Sequence, residues 1–430
     1  MCFAIVLNYG KHKSLCIIQG VSQMIILSPT KNYCRFRQYI KLCLVKRITI
    51  YKIKERQELN NMASTPFKFD HVGSFLRPES LKKARRDYEA GSITAEELKS
   101  VEDEAITELI KKEKEVGLHA ITDGEFRRAT WHLDFMWAFD GVGHSKTETG
   151  LPFHGEAAMI DDTYLTGKIV YKTHPFIEHF KFVQQFEDED TVAKLTIPAP
   201  AQFLEQMIMP FAWGNTKKFY DTPEQVAEDI ANGYKEFIKD VYAAGCRNLQ
   251  FDDCSWGMVV DPSACKFFGT TPAGLEKIKN TLLDINNKSI EGKPEDLVIN
   301  THVCRGNFHS TYASSGAYTG VAATLFAKEN VNAYYLEYDD ERSGGFEPLK
   351  NVTGDKKVVL GLITTKSPEL EDEQVIIDRI NEAAKYIPLD RLCLSPQCGF
   401  ASCEIGNKLT EEEQWAKLRL VKKIAKKVWG

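Results

Sequence analysis

Thr301-His302-Val303-Cys304 places an imidazole and a thiol two residues apart at the end of an apolar run. On a β-strand, where side chains alternate between faces, the two point to the same side and converge. Thiolate sulfur and imidazole nitrogen are ligands that zinc prefers, so a third and a fourth are sought at comparable places downstream. Glu337, in Tyr335-Leu336-Glu337, and Cys398, in Pro396-Gln397-Cys398-Gly399, supply them. The competing reading of His302 and Cys304 is a buried thiol beside a hydrogen-bonded histidine. Asp339, Asp340 and Glu341 compete with Glu337, which best keeps the phase of its apolar run, and Cys403 competes with Cys398.

Side chains as distant in sequence as 302 and 398 meet only where several strands end together. Short apolar runs alternate with helical periodicity along the body of the chain, as a parallel-stranded α/β protein requires. Strands are predicted over 68–74, 119–122, 193–198, 247–251, 297–304, 333–337, 358–362 and 391–394. Helices are predicted over 78–90, 95–116, 223–244, 272–285, 320–328, 371–385 and 411–428, with Thr94 and Thr222 as capping residues before acids or Pro223. Eight strands fit an α/β fold of the (β/α)8 TIM-barrel type, whose working face is made by the loops that follow the strands. A doubly wound open sheet loses support because no Gly-x-Gly-x-x-Gly turn follows the first strand. The largest insertion, 140–190, follows the second strand, and 164–171 around Gly167-Lys168 predicts a β-hairpin laid over the working face. The predicted strand ends carry Ser74, Asp123 and Glu125, Asp252 and Asp253, His302 and Cys304, Glu337, Lys366 and Cys398.

Composition narrows the function. A chain of 430 residues, 43% hydrophobic and with a formal charge of -5, buries a large core. Residues 1–61 hold eleven Lys/Arg against two Glu, which leaves the remainder more acidic than the whole and argues against nucleic-acid binding. This basic start is expected to be a disordered extension, with Met62-Ala63-Ser64-Thr65-Pro66 opening the folded unit 62–430. It is too rich in Ile and Tyr and too poor in Ser for a transit peptide. Nor does it contain an apolar run near the ~18 residues a membrane helix needs. Four cysteines in the extension and seven in the body, irregularly spaced, fit reduced thiols in a cytoplasmic protein. Cys246, Cys254, Cys265 and Cys393 read as packing thiols, and Trp131, Trp137 and Trp256 as packing aromatics.

Five motifs in order, His71-Val72-Gly73-Ser74, Asp123-Gly124-Glu125-Phe126-Arg127-Arg128, Gln250-Phe251-Asp252, His302-Val303-Cys304 and Gln397-Cys398-Gly399, resemble the catalytic barrel of cobalamin-independent methionine synthase. They are more similar still to its short, single-barrel relatives, over roughly residues 65–430. The resemblance implies a zinc-dependent methyltransferase that moves a methyl group from a methylated tetrahydrofolate to the thiol of homocysteine, giving methionine. It also implies His302, Cys304, Glu337 and Cys398 as zinc ligands, and Ser74, Glu125 and Asp252, with His71 nearby, as the amino-acid site. Zinc coordination removes the proton of a thiol whose free pKa is near ~8.5. Glu125 and Asp252 would pair with the substrate ammonium, and Ser74 with its backbone N–H would take the carboxylate. Without the resemblance, Asp123 and Glu125 read as salt-bridge partners of Arg127 and Arg128, and Asp252-Asp253 as a helix cap.

The chain departs from the family pattern on the side of the methyl donor. The family ends its third strand with a tryptophan near the folate ring, whereas this sequence reads Thr196-Ile197-Pro198-Ala199-Pro200. The family's His-Ser-Pro turn, whose histidine is thought to protonate the departing folate nitrogen, becomes Lys366-Ser367-Pro368. Lys366 is therefore the candidate proton donor, on condition that its pKa is lowered. The alternatives are a non-folate methyl donor, a barrel of the uroporphyrinogen-decarboxylase type that needs no thiol ligands, and a non-catalytic barrel that encloses zinc with four protein ligands.

Overall fold

The computed structural model describes residues 65–148 and 150–430, together with three short strands in the leading segment. The chain divides into two compact units, Met1–Asn61 and Met62–Gly430. In the first, Ala4–Tyr9 pairs antiparallel with Lys13–Ile18, which pairs in turn with Ile26–Leu27. The sequence reading gives no strands there, although apolar β-branched runs such as Ile17-Ile18 favour extended chain. The expectation of disorder falls on 1–61, and apart from these three strands residues 1–64 lie outside the described residues.

In the second unit six strands run parallel in chain order: Leu195–Pro198, Asn248–Asp253, Val298–Val303, Ala333–Glu337, Lys357–Ile363 and Leu392–Pro396. These are the third to eighth strands of a closed barrel. The second is the short Ala120–Ile121, parallel to Val192–Ala193 at the start of the third. The first is reduced to a bridge between Phe69 and Leu394. There Asp70 N donates to Leu394 O at 3.0 Å and Leu394 N to Lys68 O at 2.9 Å, tying the eighth strand to the first. The Thr122 hydroxyl, donating to Gly73 O at 2.9 Å, links first to second and completes the ring. The fold is the (β/α)8 barrel expected from the sequence. Closure buries the strands on both faces, so Leu392–Pro396 is buried throughout and reads as an apolar run rather than an alternating one.

Helices cover the outside. In Ala95–Val116 the Thr94 hydroxyl accepts from Glu97 N at 3.2 Å and the Glu97 carboxylate accepts from Thr94 N at 2.7 Å. Loss of such a cap costs roughly 1 kcal/mol. The helix buries Ile106, Leu109, Ile110 and Glu113, spaced three or four apart as one face demands. Thr222 makes no such bond, contrary to expectation, and Pro223 with its fixed φ opens the helix Pro223–Ala243 unaided. The helix expected at 320–328 contracts to a 3₁₀ turn at Tyr318–Gly320 and the single turn Leu325–Lys328. Phe176–Gln184 and Pro200–Ile208 are helices the sequence reading missed.

The insertion after the second strand carries a hairpin, but 164–171 does not turn at Gly167-Lys168. Asp162–Val170 is one strand, antiparallel to Asp140–Ser145, and between them Leu151–Pro152 pairs with Ala157–Ala158. The register slips between Asp140 and Val142. At the slip Gly141 has φ 86°, and a Cβ there would strike Lys168 O at 2.1 Å. Close strand approach at a bulge, not a turn, is what glycine serves here.

Candidate active site

His302, Cys304, Glu337 and Cys398 converge at the C-terminal ends of the fifth, sixth and eighth strands. All four are buried, with ligand atoms within 4.8 Å of one another. His302 Nδ1–H donates to Tyr335 O at 3.2 Å, which fixes the tautomer and leaves Nε2 with a lone pair and no hydrogen-bond partner. Glu337 Oε1 accepts from Arg305 N at 3.3 Å, and its Oε2 has no partner. Two buried orphan acceptors facing two sulfurs are what a cation satisfies.

Spacing tests the fit to zinc. Sulfurs ~2.3 Å from a tetrahedral zinc stand about 3.8 Å apart, and Cys304 Sγ and Cys398 Sγ are 3.7 Å apart. Electrostatics points the same way. Burial, then the neighbouring Cys304 charge, push Glu337 up to about 8. Hydrogen bonds from the Cys254 and Cys398 thiols hold Cys304 well below the usual thiol range. The corner thus gathers more negative charge than it can hold without a positive ion.

The same cavity is walled by Ser74, Glu125 and Asp252. Ser74 leaves the first barrel segment against Gly399, where a Cβ would come within 1.8 Å of Ser74 Oγ, so only glycine lets the first and eighth segments approach this closely. Glu125 sits at φ 61°, a left-handed conformation costly for a side-chain-bearing residue. It is held there by Asp123 Oδ1, which accepts from Glu125 N at 2.9 Å, and by Arg77 Nη2, which donates to Glu125 O at 2.8 Å. Its Oε1 accepts from the Thr196 hydroxyl at 2.9 Å and lies 3.4 Å from Arg128, while Oε2 is buried without a partner. Arg127 turns away to Glu102 and Asp103. Asp252 is the parallel register partner of His302 and accepts from Gln250 Nε2 at 2.7 Å. Burial pushes its carboxyl up to about 7.

Three of the nine candidate residues, His71, Lys366 and Glu337, are not among those lining the cavity, although Glu337 still belongs to the ligand cluster. The ring of His71 lies behind the wall, with Nε2–H donating to Ala120 O at 3.0 Å, whereas Val72 and Ser74 line it. Lys366 Nζ is tied to the buried Asp339 at 2.5 Å and is not among the lining residues. Conversely, Cys254 is no packing thiol, since it lines the cavity within hydrogen-bonding reach of Cys304. Its place directly after Asp252-Asp253 at a strand end was the signal for it. Trp131 lines the cavity, Trp137 donates to the Thr163 hydroxyl in the insertion, and Trp256 is fully buried. Gln202, Glu205, Met209 and Phe211, from the unpredicted helix after the third strand and the short helix Pro210–Thr216 that follows it, form another wall.

The sequence profile described as the catalytic domain of the cobalamin-independent synthase matches residues 67–427. The chain belongs to this family. Its relatives include the uncharacterized proteins YxjH and YxjG of Bacillus subtilis, 43% and 44% identical over 87% and 85% of this chain and 97% and 95% of theirs. A methionine synthase of Saccharolobus solfataricus is 21% identical over 76% of this chain and 86% of its own. A solved structure from Listeria monocytogenes, described as a vitamin-B12-independent methionine synthase, superposes with TM-score 0.67 at 41% identity, covering 85% of this chain and 99% of that one. Membership of the cobalamin-independent methionine synthase family makes the chain an enzyme of the methyltransferase class.

Proposed function

We propose that this family member is a zinc-dependent methyltransferase that moves a methyl group from a methylated tetrahydrofolate to the sulfur of homocysteine, releasing methionine. The observation that carries the reading is a His/Cys/Glu/Cys cluster of tetrahedral dimensions, three of whose members, His302, Cys304 and Cys398, line the cavity also lined by Ser74, Glu125 and Asp252. Zinc held by His302, Cys304, Glu337 and Cys398 supplies one thing, a substrate sulfur that is deprotonated at neutral pH and still nucleophilic.

The chain's own side chains supply position. The unpartnered Glu125 Oε2 and Asp252 receive the ammonium of homocysteine, and a cation beside Asp252 restores the charge that burial suppresses. Arg128 and Thr196 hold Glu125 in place, and Ser74 takes the substrate carboxylate. Leu151 and Phe153 from the insertion, together with Met209 and Phe211, give the cavity an apolar lining that would orient the incoming methyl group in a water-poor space. No Lys or Arg occurs among the described lining residues, so the cavity suits the reactive end of the donor rather than an anionic tail. The seven cysteines of the folded unit form no disulfide, which supports a reducing, cytoplasmic setting. No described helix is long and apolar enough to cross a membrane.

The test is a parallel assay of the full chain with zinc and homocysteine. It is offered 5-methyltetrahydrofolate bearing one or several glutamates, methylcobalamin, and a methylsulfonium compound. Methionine from a folate is expected. Methionine from the other donors alone would reassign the donor, and none from any would end the methyltransferase reading.

A further inference from the structure

The cavity lining holds a carboxyl group that none of the steps above employs. Glu205 lies on the helix Pro200–Ile208, is 5% exposed and lines the cavity. Its Oε2 is fully buried with no hydrogen-bond partner, and among the described residues no cation pairs with the group. The helix is anchored on both sides of it. Ala201 N donates to Asn286 Oδ1 at 2.9 Å, and Gln202 Oε1 accepts from Cys254 N at 3.1 Å, so the carboxyl is carried by a fixed scaffold one helical turn from a residue beside the thiol cluster. An unpaired buried carboxyl costs stability and is kept for a reason.

We propose that Glu205 is the general acid of the methyl transfer, donating its proton to the heteroatom that loses the methyl group. The assignment rests on the methyltransferase reading above. In the step, the homocysteine sulfur forms a bond to the methyl carbon as the carbon–nitrogen bond of a tertiary-amine donor breaks. The electron pair of that bond stays on nitrogen, and nitrogen takes the Glu205 proton. The carboxylate left behind regains a proton from the thiol of the next homocysteine, so the net change carries the thiol proton to the amine. An amine cannot leave as an anion, which is why a proton must be at hand.

The other groups near the cavity are poorly placed for this. Glu125 and Asp252 face the amino-acid site, Lys366 is committed to Asp339, and His132 on the wall is held uncharged by burial, near 3. Burial, with the charge of Asp253 adding to it, pushes the Glu205 carboxyl up to about 8, so it holds its proton at neutral pH.

Two donors separate the roles. A tertiary amine such as 5-methyltetrahydrofolate needs a proton to leave, whereas a methylsulfonium such as S-methylmethionine departs as a neutral thioether. Glu205→Gln, which preserves shape, is expected to lower the ratio of amine-donor to sulfonium-donor turnover by about 10²-fold or more. Acetate added to Glu205→Ala is expected to restore part of the amine-donor rate alone. A ratio unchanged in Glu205→Gln, or both donors falling together without rescue, would overturn the assignment. Wild-type methionine formation from sulfonium only would overturn it while sparing the methyltransferase reading. No methionine from any donor would overturn both.

Discussion

The two walls of the cavity are built differently. The metal corner is made of residues at the ends of three strands, His302, Cys304, Glu337 and Cys398, whose relative positions are fixed by barrel hydrogen bonds and parallel register. The wall proposed to face the donor is made of two helices and an insertion, through Glu205, Met209, Phe211, Leu151 and Phe153, several of them partly exposed. Phe211 is 63% exposed. The difference teaches where the fold is rigid by construction and where it is free to vary. On the proposed reading, the strand-end corner would hold the thiolate whatever the methyl donor, and the wall of helices and insertion would select the donor.

Breaking the corner has the largest expected effect. Cys398→Ser removes one of two sulfurs 3.7 Å apart, so metal content measured by elemental analysis falls below stoichiometric and methionine formation drops by about 10³-fold or more. Full activity with serine at 398 would favour a barrel chemistry that needs no thiol ligands.

Acid probes the other side. Burial lowers His71, His132 and His179 to about 3 and His174 to about 4, from 6.5. These rings fold uncharged, whereas the unfolded chain binds a proton below 6.5. The stability they confer is complete above that pH and is lost progressively as pH falls toward the folded values. The cost is on the order of 1 kcal/mol per ring by pH 5.5. His132, His174 and His179 all lie between the second and third strands. Hydrogen exchange at falling pH is therefore expected to rise first in that region, before the strand-end corner. Simultaneous loss of protection in both would erase the distinction between the walls.

Phe211→Ala trims the donor wall alone. It is expected to raise the KM for the methyl donor several-fold, roughly 1 kcal/mol of lost apolar contact, with metal content and homocysteine affinity unchanged. Loss of metal in this variant would show the two walls to be one unit.

Lys366→Met has the smallest expected effect on chemistry. It removes the nearer of the two cations paired with the buried Asp339, leaving Arg342, and so lowers stability, but turnover per folded molecule should stay within about two-fold. A turnover loss with the amine donor only would return the proton to Lys366.

The metal corner was legible in the sequence because strand phase is a period of two. His302 and Cys304 share a face, and Glu337 keeps the phase of its own run; Asp339 has the same parity but lies beyond the strand end at Glu337 and pairs with Lys366. The same rule, applied one residue more strictly, separates His71 from Val72 and Ser74. The barrel was legible from its buried apolar strands, and the first and second, expected over 68–74 and 119–122, were found in place but contract to a bridge at Phe69 and the two residues Ala120–Ile121. The donor wall was not. Pro200–Ile208 is apolar or polar without a charged face, Gly167 reads as a turn until its partner strand at Gly141 is known, and the Lys366–Asp339 pair joins two loops distant in sequence. Glu205 carries no local signal at all, since its solitude is a property of the packed cavity.

The central claim is that four side chains hold one zinc ion and leave it open to the substrate sulfur. X-ray absorption at the zinc edge, recorded with and without homocysteine, tests it most directly. Two protein sulfurs and two lighter ligands are expected in the free enzyme, with one further sulfur at ~2.3 Å when homocysteine is present. Zinc that is not retained, or a sulfur shell that homocysteine leaves unchanged, would contradict it.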